Sequence, residues 1–188
     1  MKELLKDIKK VDKKKLIEKK MNAFKNNKEI FSELCYCILT ANFNAERAII
    51  IQKKVGEGFK ELSEKELASR LKELGYRFPN IRAKYIIEAR GKELIMEREW
   101  LVNNIKGLGY KEASHFLRNT GHDDYAIIDF HIIDLLARHG VIKKPKNLSK
   151  KNYLLIENKL KTIGEKAGLS LGELDLYLWY LETGKVLK

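Results

Sequence analysis

Two glycines flank one apolar residue at Gly107-Leu108-Gly109, and a lysine follows two positions later at Lys111. Each glycine can take the positive φ that a tight turn needs. A helical pattern starts at once, with Ala113, Phe116 and Leu117 at helical spacing, and Gly121 ends it. A short helix from Trp100 to Ile105 precedes the turn, which completes a helix-hairpin-helix. Amides at such a hairpin, and at the start of its second helix, have no partner within the helix and suit a nucleic-acid phosphate. Gly107, Leu108 and Gly109 are therefore DNA-binding candidates. Lys111 falls in the first turn of the second helix, where a lysine can hold a phosphate as a cation. As a free amine it can instead attack a carbon, which an arginine cannot do. The positive helix end and a desolvating cleft both favour the free amine. Asp129 stands eighteen residues on, in Ile127-Ile128-Asp129-Phe130-His131. Its apolar neighbours point to a helix start packed on the core. A carboxylate fixed there as an N-cap could stabilise positive charge that develops in a reaction.

GLGYKEASHFLRN followed by IIDFHI resembles the lysine-dependent branch of the helix-hairpin-helix DNA glycosylases, and most of all the compact 8-oxoguanine DNA glycosylases of archaea and some bacteria. The resemblance runs over most of the chain and is densest from 101 to 135. It implies that Lys111 is the nucleophile and Asp129 its essential partner. The activity implied is bifunctional: excision of 8-oxoguanine through a lysine Schiff base, then cleavage of the abasic site by β-elimination. Trp179 stands nine residues before a terminal lysine, Lys188. Both are used in the compact family to recognise 8-oxoguanine. TANFNAERA resembles the superfamily segment whose asparagine and arginine, at the places of Asn42 and Arg47, face the gap left by the flipped base and the opposite strand. The hairpin carbonyls, those of Ile105 and Gly107 among them, could hold a monovalent ion as in relatives. The partner implied is double-stranded DNA containing 8-oxoguanine, met by a monomer.

The residues also carry readings of their own. His115 lies four positions after Lys111 on the same helical face and could line a base pocket. His131 reads as packing, and His122 and His139 show no partner pattern. No cofactor or metal site is expected. Cys35 and Cys37 fall within an apolar helix, point to different sides and read as buried thiols. A cysteine-ligated iron–sulfur cluster needs more ligands than two cysteines supply. Two alternatives stay open. One is a non-enzymatic helix-hairpin-helix module. The other is a glycosylase for oxidised pyrimidines, although such enzymes usually carry the cluster this chain lacks.

A formal charge of +12 over 188 residues suits a polyanionic partner, and it would equally suit a lysine-rich solvated surface. No apolar run could span a bilayer, so a soluble cytoplasmic protein is expected. With two prolines and few alternating stretches, the chain reads as all-α. Helices are expected over 29–41, 45–55, Ser63 to Leu74, Ile81 to Leu94, Trp100 to Ile105, and from the hairpin to Asn119. These six resemble the six-helix barrel of the superfamily, giving a sub-domain over 29–119. Residues 1–28, as one or two basic helices, join 120–188 in a second helical sub-domain, with a cleft between the two.

Overall fold

The structure, a computed structural model, describes residues 1–188, and every regular element in it is helical. No helix is long and apolar enough to cross a membrane. The chain divides into two compact units, one of Lys28–Phe116 and one of Met1–Asn27 with Leu117–Lys188.

The first unit opens with α3 (Ile30–Thr40), buried along most of its length, including both cysteine side chains. Burial pushes the Cys35 thiol far above its ordinary range, so it is inert. Asn44 caps α4 (Ala45–Val55) by accepting from the Arg47 amide. Ser63 and Glu66 form the reciprocal capping box that starts α6 (Glu64–Glu73). Helix α6 packs on α7 (Pro79–Ala89), and α3 packs on both α4 and α7.

Two features depart from expectation. Seven helices, not six, lie between residue 30 and Asn119. The additional one is α5 (Gly58–Glu61), a single turn that buries Phe59 and is too short to show any periodicity. Helix α7 begins at Pro79, whose fixed φ and missing N–H suit a first helical position, and stops at Ala89 rather than Leu94. Arg90 leaves the helix in an extended conformation and its guanidinium donates to the carbonyls of Phe59 and Leu62, while Gly91 follows at φ +76°. The hairpin helices are α8 (Arg98–Asn104) and α9 (Tyr110–Asn119).

In the second unit, the basic N-terminal stretch forms two helices, α1 (Lys2–Lys10) and α2 (Lys14–Lys25). They bury Leu4, Ile8, Ile17, Met21 and Phe24 and leave most lysines outward. Helix α10 (Phe130–Arg138) packs on α12 (Leu171–Thr183), α12 on α2, and α11 (Lys150–Ala167) on α1. At the end of α9, Arg118 is 2% exposed. Its guanidinium donates to Asp175 and to Asn119 Oδ1 and lies 4.9 Å from the Phe24 ring centre. A buried cation with this set of partners fixes the elements that carry them, because removing one partner would leave a bare buried charge.

His139 also has a partner that its sequence context hides. Its Nε2 lies 3.2 Å from Asp7 Oδ2, and its Nδ1 lies 2.9 Å from the Leu135 carbonyl. The bond to His139 outweighs desolvation and holds the Asp7 carboxyl below its ordinary value of 3.8. A carboxyl with a lowered folded value contributes stability above the unfolded value and loses it as pH falls through the folded one. Asp7→Asn should therefore lower Tm near about pH 6, and the gap from the wild type should close below about pH 3. Thermal melts across that range check this.

Candidate active site

The hairpin closes between Ile105 and Gly109. Leu108 N–H donates to the Ile105 carbonyl at 3.3 Å, and Leu108 is buried. Gly107 sits at φ +88°, and a Cβ there would come within 2.8 Å of Tyr85 Cδ2. Only glycine meets both conditions without strain. Side chains then lock the two hairpin helices together. Arg98 of α8 stacks 4.9 Å from the Tyr110 ring centre and donates to Ser114 Oγ, and the Tyr110 hydroxyl bonds Glu99. Lys111 therefore projects from the first turn of a helix whose start is fixed at several points. It is 24% exposed, and its Nζ lies 3.8 Å from Glu112 Oε1.

Behind the hairpin, Arg82 is buried. It donates to the Ala41 carbonyl at 3.1 Å, lies 3.4 Å from the Tyr76 hydroxyl, and has its guanidinium 5.6 Å from the Tyr85 ring centre. Tyr85 is the ring against Gly107, so Arg82 ties the hairpin to the turn at Asn42. That asparagine is exposed and is the one non-glycine residue with positive φ, at +58°. Arg47 stacks on Phe43 and donates to the Gly75 carbonyl at 3.0 Å. His115 is 6% exposed and stands edge-on to Tyr36, so it belongs to the interior of this unit.

In the other unit, Asp129 is the N-cap of α10, half-buried, with Oδ1 accepting from the Ile132 amide at 3.0 Å. The irregular segment leading to it is pinned by α11. Tyr153 hydroxyl donates to the Ala126 carbonyl and accepts from the Ile128 amide, while the buried Glu157 accepts from the Ala126 amide. The sequence carries no signal for these two residues, whose partners lie 25 or more residues away. Phe130 follows Asp129 and is 66% exposed. Its ring stacks on His131 at 4.0 Å between centres, and His131 stands edge-on to Trp179 at 5.2 Å. Asp129, His131 and Trp179 are thus brought to one place. The indole N–H of Trp179 is enclosed and has no acceptor within the protein. Lys188 is half-buried at the chain end.

The hairpin with its lysine lies in one unit and the capping aspartate in the other. The family model Ogg-HhH, described as 8-oxoguanine DNA glycosylase, matches residues 12–169. The chain belongs to the 8-oxoguanine DNA glycosylase family. The 8-oxoguanine DNA glycosylase/AP lyase of Methanocaldococcus jannaschii is 51% identical, over 98% of this chain and 97% of that protein. The crystal structure of the M. jannaschii glycosylase/lyase, in complex with a 15mer DNA containing 8-oxoguanine, superposes with a TM-score of 0.92 at 51% identity, covering 98% of this chain and 99% of that one. The 8-oxoguanine DNA glycosylase of Thermotoga maritima gives a TM-score of 0.91 at 45% identity, covering 100% and 99% of the two chains. Family membership thus extends over nearly the whole molecule, including both units.

Two glycines of similar φ separate the steric demand of the hairpin from backbone strain alone. Gly91, at φ +76°, has open space where a Cβ would go. Gly91→Ala should cost about 1 kcal/mol. Gly107→Ala should cost about 1–3 kcal/mol more, because the Tyr85 ring must also be displaced. Denaturant melts of the two variants measure the difference.

Proposed function

We propose that the chain is a bifunctional DNA glycosylase and abasic-site lyase that removes 8-oxoguanine from double-stranded DNA. The observation that carries this reading is the placement of Lys111, half-enclosed in the first turn of a helix held by a glycine-closed hairpin. The named activity of relatives that match over nearly their full length supports it.

The chemistry follows from the parts. The Leu108 and Gly109 amides are already paired, to the Ile105 carbonyl and to Glu112, so the positive N-terminal end of α9 rather than the hairpin amides as a set holds a phosphate of the damaged strand. The lesion leaves the stack, because its sugar carbon is out of reach inside the duplex. Lys111, as a free amine, bonds to C1′ as the bond from C1′ to N9 breaks, and the base departs with a proton. The sugar ring opens to an imine on Lys111. Loss of a C2′ proton then expels the 3′ phosphate, and water releases the lysine. Asp129 carries a carboxylate that its own helix amide and the Tyr153–Glu157 clamp hold still. Such a preorganised charge acts on the cationic sugar of the transition state rather than on substrate binding. No redox group or metal enters these steps. A monovalent ion at the Ile105 and Gly107 carbonyls would only brace the hairpin. Action on DNA by a monomer without a spanning helix fits a cytoplasmic location.

Trp179 and Lys188 are the proposed readers of the base. The enclosed indole N–H lacks an acceptor, and leaving a buried donor unpaired costs about 1–3 kcal/mol. Protein atoms cover that N–H, so the face of the ring, not its edge, is what would stack on the flipped base. An 8-oxoguanine differs from guanine by a C8 carbonyl and a proton on N7. An acceptor set against N7 would therefore favour the lesion and repel the N7 lone pair of guanine.

Borohydride trapping on 8-oxoguanine duplexes tests the chemistry. Lys111→Gln should give no trapped species while retaining DNA affinity, and Asp129→Asn should bind normally but excise slower by about 100-fold or more. A fully trapped Lys111→Gln protein would contradict the nucleophile assignment. Deletion of Lys188 separates reading from chemistry. It should impair 8-oxoguanine excision far more than cleavage at a preformed abasic site, which needs Lys111 but no base recognition. Equal loss on both substrates would show that the tail is not the reader.

A further inference from the structure

Lys111 has a neighbour that the proposed mechanism leaves unused. Glu112 points its carboxylate back over the start of α9. Its Oε2 accepts from the Gly109 amide at 3.2 Å, and its Oε1 lies 3.8 Å from Lys111 Nζ. The side chain is 16% exposed. A Cβ at Gly109 would come within 3.2 Å of Oε2, so the second hairpin glycine leaves room for this carboxylate. One oxygen is thus anchored to the hairpin backbone and the other faces the amine.

An ammonium on the DNA-binding face of a +12 protein has a competing destination. Phosphates attract every lysine within reach, and a lysine bound to phosphate is not at C1′. A carboxylate fixed to the hairpin offers a nearer, oriented alternative. We propose that Glu112 is a positioning residue for the reaction: it holds the Lys111 side chain beside the hairpin and away from the phosphates. This rests on Lys111 being the nucleophile.

The proposal predicts effects of opposite sign, which a merely structural role would not give. Glutamine at 112 can still cap the helix, so Glu112→Gln removes the charge and keeps the fold. On a duplex with a non-cleavable abasic analogue, Glu112→Gln should bind more tightly. The slope of log K against log salt concentration should steepen by about one, for one new phosphate contact. On an 8-oxoguanine duplex, its single-turnover rate of imine formation should fall by about tenfold or more, because the amine has moved. In a Lys111→Gln background, adding Glu112→Gln should leave the salt slope where Lys111→Gln alone puts it. Weaker binding together with slower reaction would mean a structural role and overturn the proposal. An unchanged slope would overturn it too, as would the same steepening in the Lys111→Gln background, which would reflect only a lost negative charge. If the wild type itself forms no trapped imine, the nucleophile assignment fails. The slope comparison needs no chemistry and would still report whether Glu112 restrains Lys111.

Discussion

The hairpin can close only because Gly107 has no side chain. Its φ is +88°, and the Tyr85 ring occupies the space where a Cβ would project. That contact sets where α9 begins, and so where Lys111 stands. The rest of the unit reinforces it. Arg82 reaches from the Tyr85 ring to the Ala41 carbonyl, so the turn at Asn42 and the hairpin share one buried cation. Arg98 and Glu99 hold Tyr110, the first residue of α9, to the helix before the hairpin. A lysine on a free surface helix would sample many rotamers. Here its backbone is fixed by steric exclusion and by hydrogen bonds, which is what a nucleophile needs if the geometry of attack is to be set in advance.

Asp129 is held by the same logic with different parts. The carboxylate caps its own helix, and the backbone before it is satisfied by Tyr153 and Glu157 rather than by regular secondary structure. Buried backbone groups must find partners, and a loop that finds them in side chains of a long helix is as rigid as the helix itself. The same end of α10 carries His131 against Trp179, so the carboxylate proposed to act on the sugar and the proposed base wall share a common support.

What could be read in the sequence was local. The hairpin glycines, the lysine after them, the asparagine and serine caps at Asn44 and Ser63, and the apolar face of α3 each follow from a few adjacent residues. The cap at Asp129 could be read for the same reason. What could not be read was long-range or very short. Glu157 and Tyr153 lie more than twenty residues from the backbone they clamp. Arg118 finds Asp175 57 residues away, and His139 finds Asp7 132 residues away. No spacing rule encodes such pairs. Helix α5 is a single turn, and the early end of α7 depends on where the Arg90 guanidinium finds carbonyls. The positions of Lys111 and Asp129 and the hairpin glycines could be read, but the distant side chains that hold them still could not.

The most direct test is to find the atom that bonds to the sugar. The protein is incubated with an 8-oxoguanine duplex, the imine is reduced with borohydride, the complex is digested, and the peptides are sequenced by mass spectrometry. The sugar-derived mass should sit on Lys111 alone, in the peptide that follows Gly107-Leu108-Gly109. An adduct on any other lysine, or on the N-terminal amine, would contradict the assignment of the hairpin lysine as the nucleophile.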